Sequence, residues 1–190
     1  MRPLALVLAL SLAGPAAAAE APWNLAALMA ELQSVKTAQA HFTERKTSAL
    51  LTQPIEAAGT LRYTAPGALE KHTVTPQPED IVLKDDRLSG STPDGKPFSV
   101  SVTDHPEIGA LVEGLRSTLA GDQKTLTRYY AITLEGTRED WHLALTPLDR
   151  AVRDKVDAIR IDGAGATLRR ITVQEHDGDR SDMVITPDPS

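Results

Sequence analysis

Residues 40 to 75 contain three short segments in which large apolar side chains are spaced two residues apart, with turn-forming residues between the segments. In the second segment Leu61 and Tyr63 share one parity, and in the neighbouring segments Phe42 and Leu69 start the same alternation. A period of two is typical of β-strands that have one face covered and the other in water. The alternation therefore predicts a sheet whose inner face needs an apolar cover.

The same alternation continues along the chain, in segments joined by links of hairpin length. The predicted strands lie at about 38–46, 57–63, 68–74, 80–84, a short piece around 88, 98–102, 129–134, 141–145, 158–162, 168–175 and 182–185. With two helices inserted, these strands predict an α+β domain. Its architecture is a strongly curved antiparallel sheet, an incomplete β-barrel, covered by helices.

The first predicted helix is capped by Asn24 and is apolar along one whole face. Its stripe is Leu25, Leu28, Met29, Leu32 and Val35. The second has Asp104 as its predicted cap, Pro106 in its first turn and Gly121 at its end. Its stripe is Ile108, Leu111, Val112, Leu115 and Leu119. Gly109 and Gly114 lower the intrinsic stability of this second helix. It is therefore either a movable cover or a helix that is stabilised only by packing.

Two connections stand out by composition. The connection from Thr47 to Glu56 carries Leu50, Leu51 and Ile55, which either cap one mouth of the sheet or fold back on it. The polar segment from Pro147 to Asp157 has room for one short helical turn.

The N-terminus predicts export. A basic start at Arg2, an apolar run from Leu4 to Ala13 and small residues up to Ala19 are typical of a secretory signal peptide. We therefore expect residues 1–19 to be removed, leaving residues 20–190 as one domain that is soluble outside the cytoplasm. The absence of cysteine excludes disulfides, thiolate chemistry and a lipid-modified cysteine. The net charge of −6 makes nucleic acid an unfavourable partner.

Motifs for chemistry are missing from the sequence. The five histidines occur singly, without metal-ligand spacing. No Gly-x-Ser-x-Gly or Ser-x-x-Lys motif exposes a serine nucleophile. The acidic run from Asp177 to Asp182 lacks the glycine and the final glutamate of a calcium loop, so a hairpin turn is the better interpretation. We expect no catalytic residues, no cofactor and no metal.

Glu44 and Lys71 share the parity of the apolar residues in their strands, which directs both charges toward the covered face. They either pair there or extend to a wet rim. Parity alone leaves both arrangements open.

The order of these features resembles the periplasmic outer-membrane lipoprotein carriers, the LolA-like family, from about Trp23 to Ile185. The resemblance rests on the first helix, Phe42-Thr-Glu, Gly59-x-Leu-x-Tyr-x-x-Pro66, Leu69-Glu-Lys, the second helix and Trp141-x-Leu-x-Leu-x-Pro147. It implies an unclosed barrel lidded by helices, whose apolar hollow carries the acyl chains of a lipoprotein or other lipid across the periplasm. It further implies a monomer with an inner-membrane donor and an outer-membrane acceptor.

Candidate cargo contacts follow from placing the apolar alternation on this family fold. They are Phe42, Leu61, Tyr63, Leu69, Leu111, Leu115, Trp141, Leu143, Ile159 and Ile171. Ordinary core packing is an equal alternative for each. A lipid-sensing or adaptor protein on the same fold is the alternative function.

One departure from the family concerns the lid. Typical carriers have an arginine immediately before the proline that matches Pro66, where it helps to hold the lid shut, and here that position is Ala65. Arg62 has the opposite strand parity, whereas Lys71 has the parity of the inner face. The Leu-Glu-Lys-x-Thr variant resembles divergent relatives associated with the export of other lipid products, such as polyene lipids, so the departure bears on the cargo more than on the carrier role.

Overall fold

The computed structural model describes residues 22–92 and 94–188. The predicted signal peptide lies outside these residues. The helices are α1 (Leu25–Ser34), α2 (Pro106–Leu119), α3 (Gln123–Tyr129) and α4 (Arg150–Arg153). The strands are β1 (Thr37–Thr47), β2 (Ile55–Thr64), β3 (Ala68–Thr75), β4 (Glu79–Lys84), β5 (Arg87–Ser91), β6 (Pro97–Ser101), β7 (Tyr130–Gly136), β8 (Trp141–Pro147), β9 (Val156–Ala164), β10 (Thr167–Glu175) and β11 (Arg180–Pro187).

All the strands form one antiparallel sheet of eleven strands, in the order β6-β5-β4-β3-β2-β1-β11-β10-β9-β8-β7. Two meanders, β1–β6 and β7–β11, join where β1 pairs with β11. Within the described residues β6 and β7 are the two free edges, so the sheet is not a closed barrel. The chain crosses from one edge to the other through α2 and α3. The predicted fold class, a curved antiparallel α+β sheet covered by helices, is confirmed.

Three cross-strand pairs on the inner face set an aromatic ring against a glycine. They are Phe42 with Gly59, Phe98 with Gly90, and Trp141 with Gly163. A Cβ added to these glycines would lie 2.9, 3.1 and 2.3 Å from the respective ring. The missing side chain is what allows each ring to lie flat over the neighbouring strand, and such positions let a sheet bend.

The main core lies where α1 and α3 pack on the sheet. Leu28, Met29 and Leu32 of α1 are at most 3% exposed, as the apolar stripe predicts. They contact Leu126 of α3 and the inner face of β7–β10. The predicted cap is confirmed, because the Asn24 side chain accepts a hydrogen bond from the Ala27 amide. A second, smaller cluster joins Val112 of α2 to Leu83 of β4 and to Val102, which follows β6, with Leu69, Leu88 and Ile108 packed against it.

The second helix begins one residue later than predicted. Its N-cap is His105 rather than Asp104, and Pro106 is the first helical residue. Proline has a fixed φ that suits the first helical position, so the helix starts at the proline and the residue before it becomes the cap. The predicted stop is confirmed, since Gly121 follows the C-cap with φ of +65°.

Helix α3 was not predicted from the sequence pattern. Its signals are local: the Asp122 side chain caps the helix by accepting from the Thr125 amide, and Leu126 is fully buried. A seven-residue helix with one buried apolar residue in its interior shows no helical stripe, which is why periodicity missed it. The predicted short turn between Pro147 and Asp157 is confirmed as α4.

The β1–β2 connection matches neither predicted alternative. Leu50, Leu51 and Ile55 are 94%, 40% and 42% exposed, so they neither cap the sheet nor fold back on it. The neighbouring β10–β11 hairpin holds this connection, because Asp179 accepts a hydrogen bond from the Ala49 amide at 3.3 Å. None of the helices in the described part of the chain has the length and apolarity needed to cross a membrane.

Candidate functional site

The inner face of the sheet divides into two halves that differ in cover. We call the inner face of β7–β10 the closed half and that of β1–β6 the open half. In the closed half α1 and α3 pack directly on β8 and β9, whose apolar side chains Trp141, Leu143, Leu145, Ile159 and Ile161 are at most 1% exposed. In the open half the core cluster found among the described residues is smaller, and α2 contributes Ile108 and Val112 to it.

All six candidate cargo contacts on later elements lie in the main core or pack against it. Trp141, Leu143 and Ile159 are 0%, 1% and 0% exposed. Partly buried Leu111, Leu115 and Ile171 pack against the same cluster. In this conformation these six side chains contact protein, and their assignment to cargo stays a prediction.

The remaining four candidates lie in the open half. Phe42 and Tyr63 are 2% and 4% exposed, and burial raises the pKa of the Tyr63 hydroxyl. Leu69 packs against the small cluster of α2. Leu61 is partly exposed and belongs to neither core cluster. Of the four, Leu61 is therefore the one that is both partly exposed and outside the two core clusters.

Leu61 continues into a row of side chains that crosses five strands. Direct cross-strand partners place Leu61 beside Lys71, Lys71 beside Ile81, Ile81 beside Gly90, and Gly90 beside Phe98. We call these five residues the inner row. Four strand spacings give it a length of about 19 Å. Each member is partly exposed, and among the described residues its apolar side chains pack into neither core cluster.

Ile81 and Phe98 were not among the candidate cargo contacts. Each has the inner parity of its own strand, so the signal was present in the alternation. What the sequence lacked was the register that sets these two side chains in line with Leu61.

Glu44 and Lys71 form an ion pair on the inner face, which resolves the two arrangements that parity left open. The Lys71 Nζ lies 2.6 Å from Glu44 Oε2 and 5.0 Å from the centre of the Phe42 ring. Ser181 of β11 donates to the other carboxylate oxygen at 2.6 Å. On β2, between the two charged strands, the inner positions are Ala57 and Gly59, and their small size leaves room for the lysine to reach across.

Burial has the largest single effect on the Glu44 carboxyl and raises its pKa. Hydrogen bonds from Lys71 and Ser181, together with the positive charges of Lys71 and Lys46, outweigh it, so the pKa is lowered overall. Glu44 is 4% exposed and is therefore a buried carboxylate that stays ionised at neutral pH.

Helix α2 lies between the two halves and is tied to the turns of the open half by Arg116. Its guanidinium donates to the backbone oxygen of Asp85 at 2.6 Å and also bonds Glu113. The aliphatic part of Arg116 covers Gly67, where an added Cβ would lie 2.6 Å from it. Gly67 follows Pro66, so this arginine reaches from the helix to the turn that contains Ala65 and Pro66.

A separate concavity of about 290 Å³ lies between α2, α3 and α4. Its lining includes Val102, Gly109, Arg128, Tyr129 and Val152. It contains none of the ten candidate cargo contacts.

Polar groups elsewhere lie mainly on the outer face. His72, His142 and His176 each contact an aspartate at 2.8 Å through Nδ1, and this hydrogen bond raises the pKa of each imidazole. The acidic group Glu175, Asp177 and Asp179 is at the β10–β11 hairpin, where Asp177 accepts from the Asp179 amide. The hairpin turn that the sequence predicted there is confirmed.

Comparison with solved structures finds distant likenesses. A LolA superfamily protein, NE2245 from Nitrosomonas europaea, matches with 12% identity and a TM-score of 0.43, covering 84% of this chain and 90% of that one. The MucA/MucB complex of Pseudomonas aeruginosa matches with 15% identity and a TM-score of 0.40, covering 86% of this chain and 56% of that one. The CwlD amidase of Clostridioides difficile in complex with the GerS lipoprotein matches with 9% identity and a TM-score of 0.37, covering 78% and 82%.

All three TM-scores are below 0.5. No curated protein matches the sequence. The family model described as "Outer membrane lipoprotein carrier protein LolA-like" matches residues 13–187, which is nearly the whole chain. The chain therefore belongs to the LolA-like family of outer membrane lipoprotein carrier proteins.

Proposed function

We propose that this protein is a non-enzymatic carrier that shelters the acyl chains of a lipoprotein or other lipid against the open half of its sheet. The observation that supports the proposal most is the inner row. Its apolar members Leu61, Ile81 and Phe98 are partly exposed and pack into neither core cluster. The family description, a lipoprotein carrier, supports the same role.

The energetics suit reversible binding. Each CH₂ group taken out of water contributes about 0.8 kcal/mol, so a chain that covers part of the inner row gains several kcal/mol. Helix α2 is the cover that has to shift, because it lies over the open half and is held there by Arg116 and a small apolar cluster. Loading then costs contacts of similar size to those it makes, which permits release to a tighter acceptor.

The proposed carrier works between the inner and the outer membrane. A chain exported by the predicted signal peptide of residues 1–19 enters the periplasm, where residues 20–190 act as a soluble monomer. An inner-membrane donor loads the cargo, and an outer-membrane acceptor receives it.

A second candidate is a lipid-sensing or adaptor protein. The exposed apolar tip of the β1–β2 connection supports it, because an isolated leucine pair in water at Leu50 and Leu51 is suited to contact with a protein partner. An adaptor holds its partner in a stable complex, whereas a carrier holds lipid.

Mass spectrometry of the protein isolated from its native envelope distinguishes the two candidates. We expect co-purified lipid that is lost in the variant Ile81→Asp and kept in Val74→Asp. Val74 is the matched control because it is an apolar strand residue that is 66% exposed on the outer face. A stable complex with another protein and no bound lipid would favour the adaptor and contradict the carrier.

A further inference from the structure

We propose that Lys71 receives an anionic head group, so that the cargo is an acyl chain ending in a carboxylate or a phosphate. This inference rests on the proposed carrier function and names the chemical class of its ligand. It starts from a polar cluster on the inner face, made by Glu44, Lys46, Lys71, Thr73 and Ser181.

A surface that takes only alkyl chains gains nothing from buried charge. An ion pair taken out of water loses hydration that its mutual attraction often does not repay, and apolar residues of similar volume are often as stable or more so. Glu44 and Lys71 nevertheless lie on the inner face of the open half, on β1 and β3, with side chains 5% and 19% exposed. The charge is therefore in the place where a ligand with a polar end would meet it.

The cluster has hydrogen-bonding capacity to spare. The Lys71 ammonium has three N–H donors, and the hydrogen bond found for it among the described residues is the one to Glu44. The Thr73 hydroxyl is two residues further along the same face of β3, and it is buried with no hydrogen-bond partner in that part of the chain. An unpaired buried hydroxyl costs free energy, which a ligand oxygen would recover.

The charge balance favours an anion. Glu44 lies 2.6 Å from the Lys71 ammonium and 3.6 Å from that of Lys46, so two positive charges surround one negative charge. A carboxylate would neutralise the cluster, and a phosphate would also be attracted by its net positive charge. A cationic or uncharged head group would leave it as it is.

The neighbouring surface accommodates the rest of the molecule. From Lys71 the inner row continues through Ile81 and Gly90 to Phe98, about 14 Å away by strand spacing. A head group on Lys71 thus leaves an apolar path of three strand spacings for the chain.

The test compares ligands that share a chain and differ in charge. Laurate and dodecanol are titrated against the wild-type protein filled with the uncharged fluorescent probe N-phenyl-1-naphthylamine, and lysophosphatidic acid and monolaurin form a second pair. We expect the anionic member of each pair to displace the probe at about tenfold lower concentration, as a charge-assisted hydrogen bond implies. The relative strength of laurate and lysophosphatidic acid tells carboxylate from phosphate.

Variants assign the effect to Lys71. Lys71→Met removes the preference for the anion, so that laurate and dodecanol displace the probe at similar concentrations, whereas the outer-face control Lys84→Met keeps the preference. Glu44→Gln strengthens laurate binding, because the lysine no longer has a carboxylate to satisfy. A purely structural ion pair predicts the opposite sign for this variant. If Lys71→Met does not fold by circular dichroism, the double variant Glu44→Gln/Lys71→Met removes both charges together and is expected to bind both ligands equally.

Equal binding of laurate and dodecanol by the wild type overturns the inference while leaving the carrier function intact. Equally weaker binding of laurate and dodecanol by Lys71→Met also overturns the inference, since the lysine then only supports the fold. Failure of the probe and all four ligands to bind contradicts the carrier function itself, and the head-group assignment with it.

Discussion

The open and closed halves of the sheet have the same sequence pattern and different cover. Leu143 and Ile161 in the closed half are 1% and 0% exposed, while Leu61 and Ile81 in the open half are partly exposed, although all four are inner-face strand residues. The difference comes from the helices, since α1 and α3 both pack on β7–β10. Alternation thus identifies an inner face, but the placement of the helices decides whether that face is core or binding surface.

The largest expected effect comes from making one substitution in each half. Leu143→Ala removes a fully buried side chain from the main core and should lower the free energy of unfolding by about 2–5 kcal/mol. Leu61→Ala removes a side chain that packs into neither core cluster and should cost about 1 kcal/mol or less. Urea denaturation measures both. Similar losses for the two variants would mean that the halves do not differ.

A charge placed in the open half should affect binding instead of stability. Ile81→Asp puts a carboxylate on the apolar path of the inner row, and we expect at least about tenfold weaker laurate binding, since burying a charge against an alkyl chain is costly. The same titration on Val74→Asp, whose side chain is 66% exposed, is the control. Unchanged laurate binding by a folded Ile81→Asp would place the lipid elsewhere.

The contact of α2 with the open half can be loosened separately. Arg116→Ala deletes the bond to the Asp85 backbone and the cover over Gly67, which should cost about 1–2 kcal/mol. Hydrogen exchange should accelerate in α2 and stay unchanged in α1, which packs on the closed half. The exposed Arg169 provides the control Arg169→Ala. Equal acceleration in both helices would indicate global destabilisation and not a cover that opens.

The smallest expected effect is on the loss of stability at acidic pH. The pKa of Glu44 is lowered in the folded protein, so its contribution to stability is present above the unfolded value near 4.5 and is lost as pH falls through the lower folded value. The wild type should therefore lose more stability between pH 6 and pH 3 than Glu44→Gln/Lys71→Met. Urea unfolding at both pH values measures this. Parallel losses in the two proteins would show that the ion pair contributes nothing to the acid sensitivity.

Local patterns predicted the strands and both long helices, because alternation, the Asn24 cap and the Gly121 stop each act within a few residues. They also placed Glu44 and Lys71 on one face. They missed α3, which depends on a single buried leucine, and they could not set Ile81 and Phe98 in line with Leu61. That alignment depends on register across five strands, which is a property of the sheet and not of any one segment.

The candidate cargo contacts in the two halves differ in how far they are covered by helices. Trp141, Leu143 and Ile159 have the same apolar character as Leu61, and the alternation of apolar residues predicted a cargo contact for all four. In the structure the first three are covered by α1 and α3, whose positions follow from long-range packing. The sequence therefore identified which residues face inward, and the structure adds which of them have surface to offer.

Photo-crosslinking with a diazirine-bearing fatty acid, followed by peptide mass spectrometry, tests the central claim most directly. We expect labelled peptides from the open half, at residues 55–64, 79–84 and 97–101, with labelling suppressed by excess laurate. Labelling confined to β7–β10 or to the concavity between α2, α3 and α4, or no suppressible labelling at all, would contradict the account.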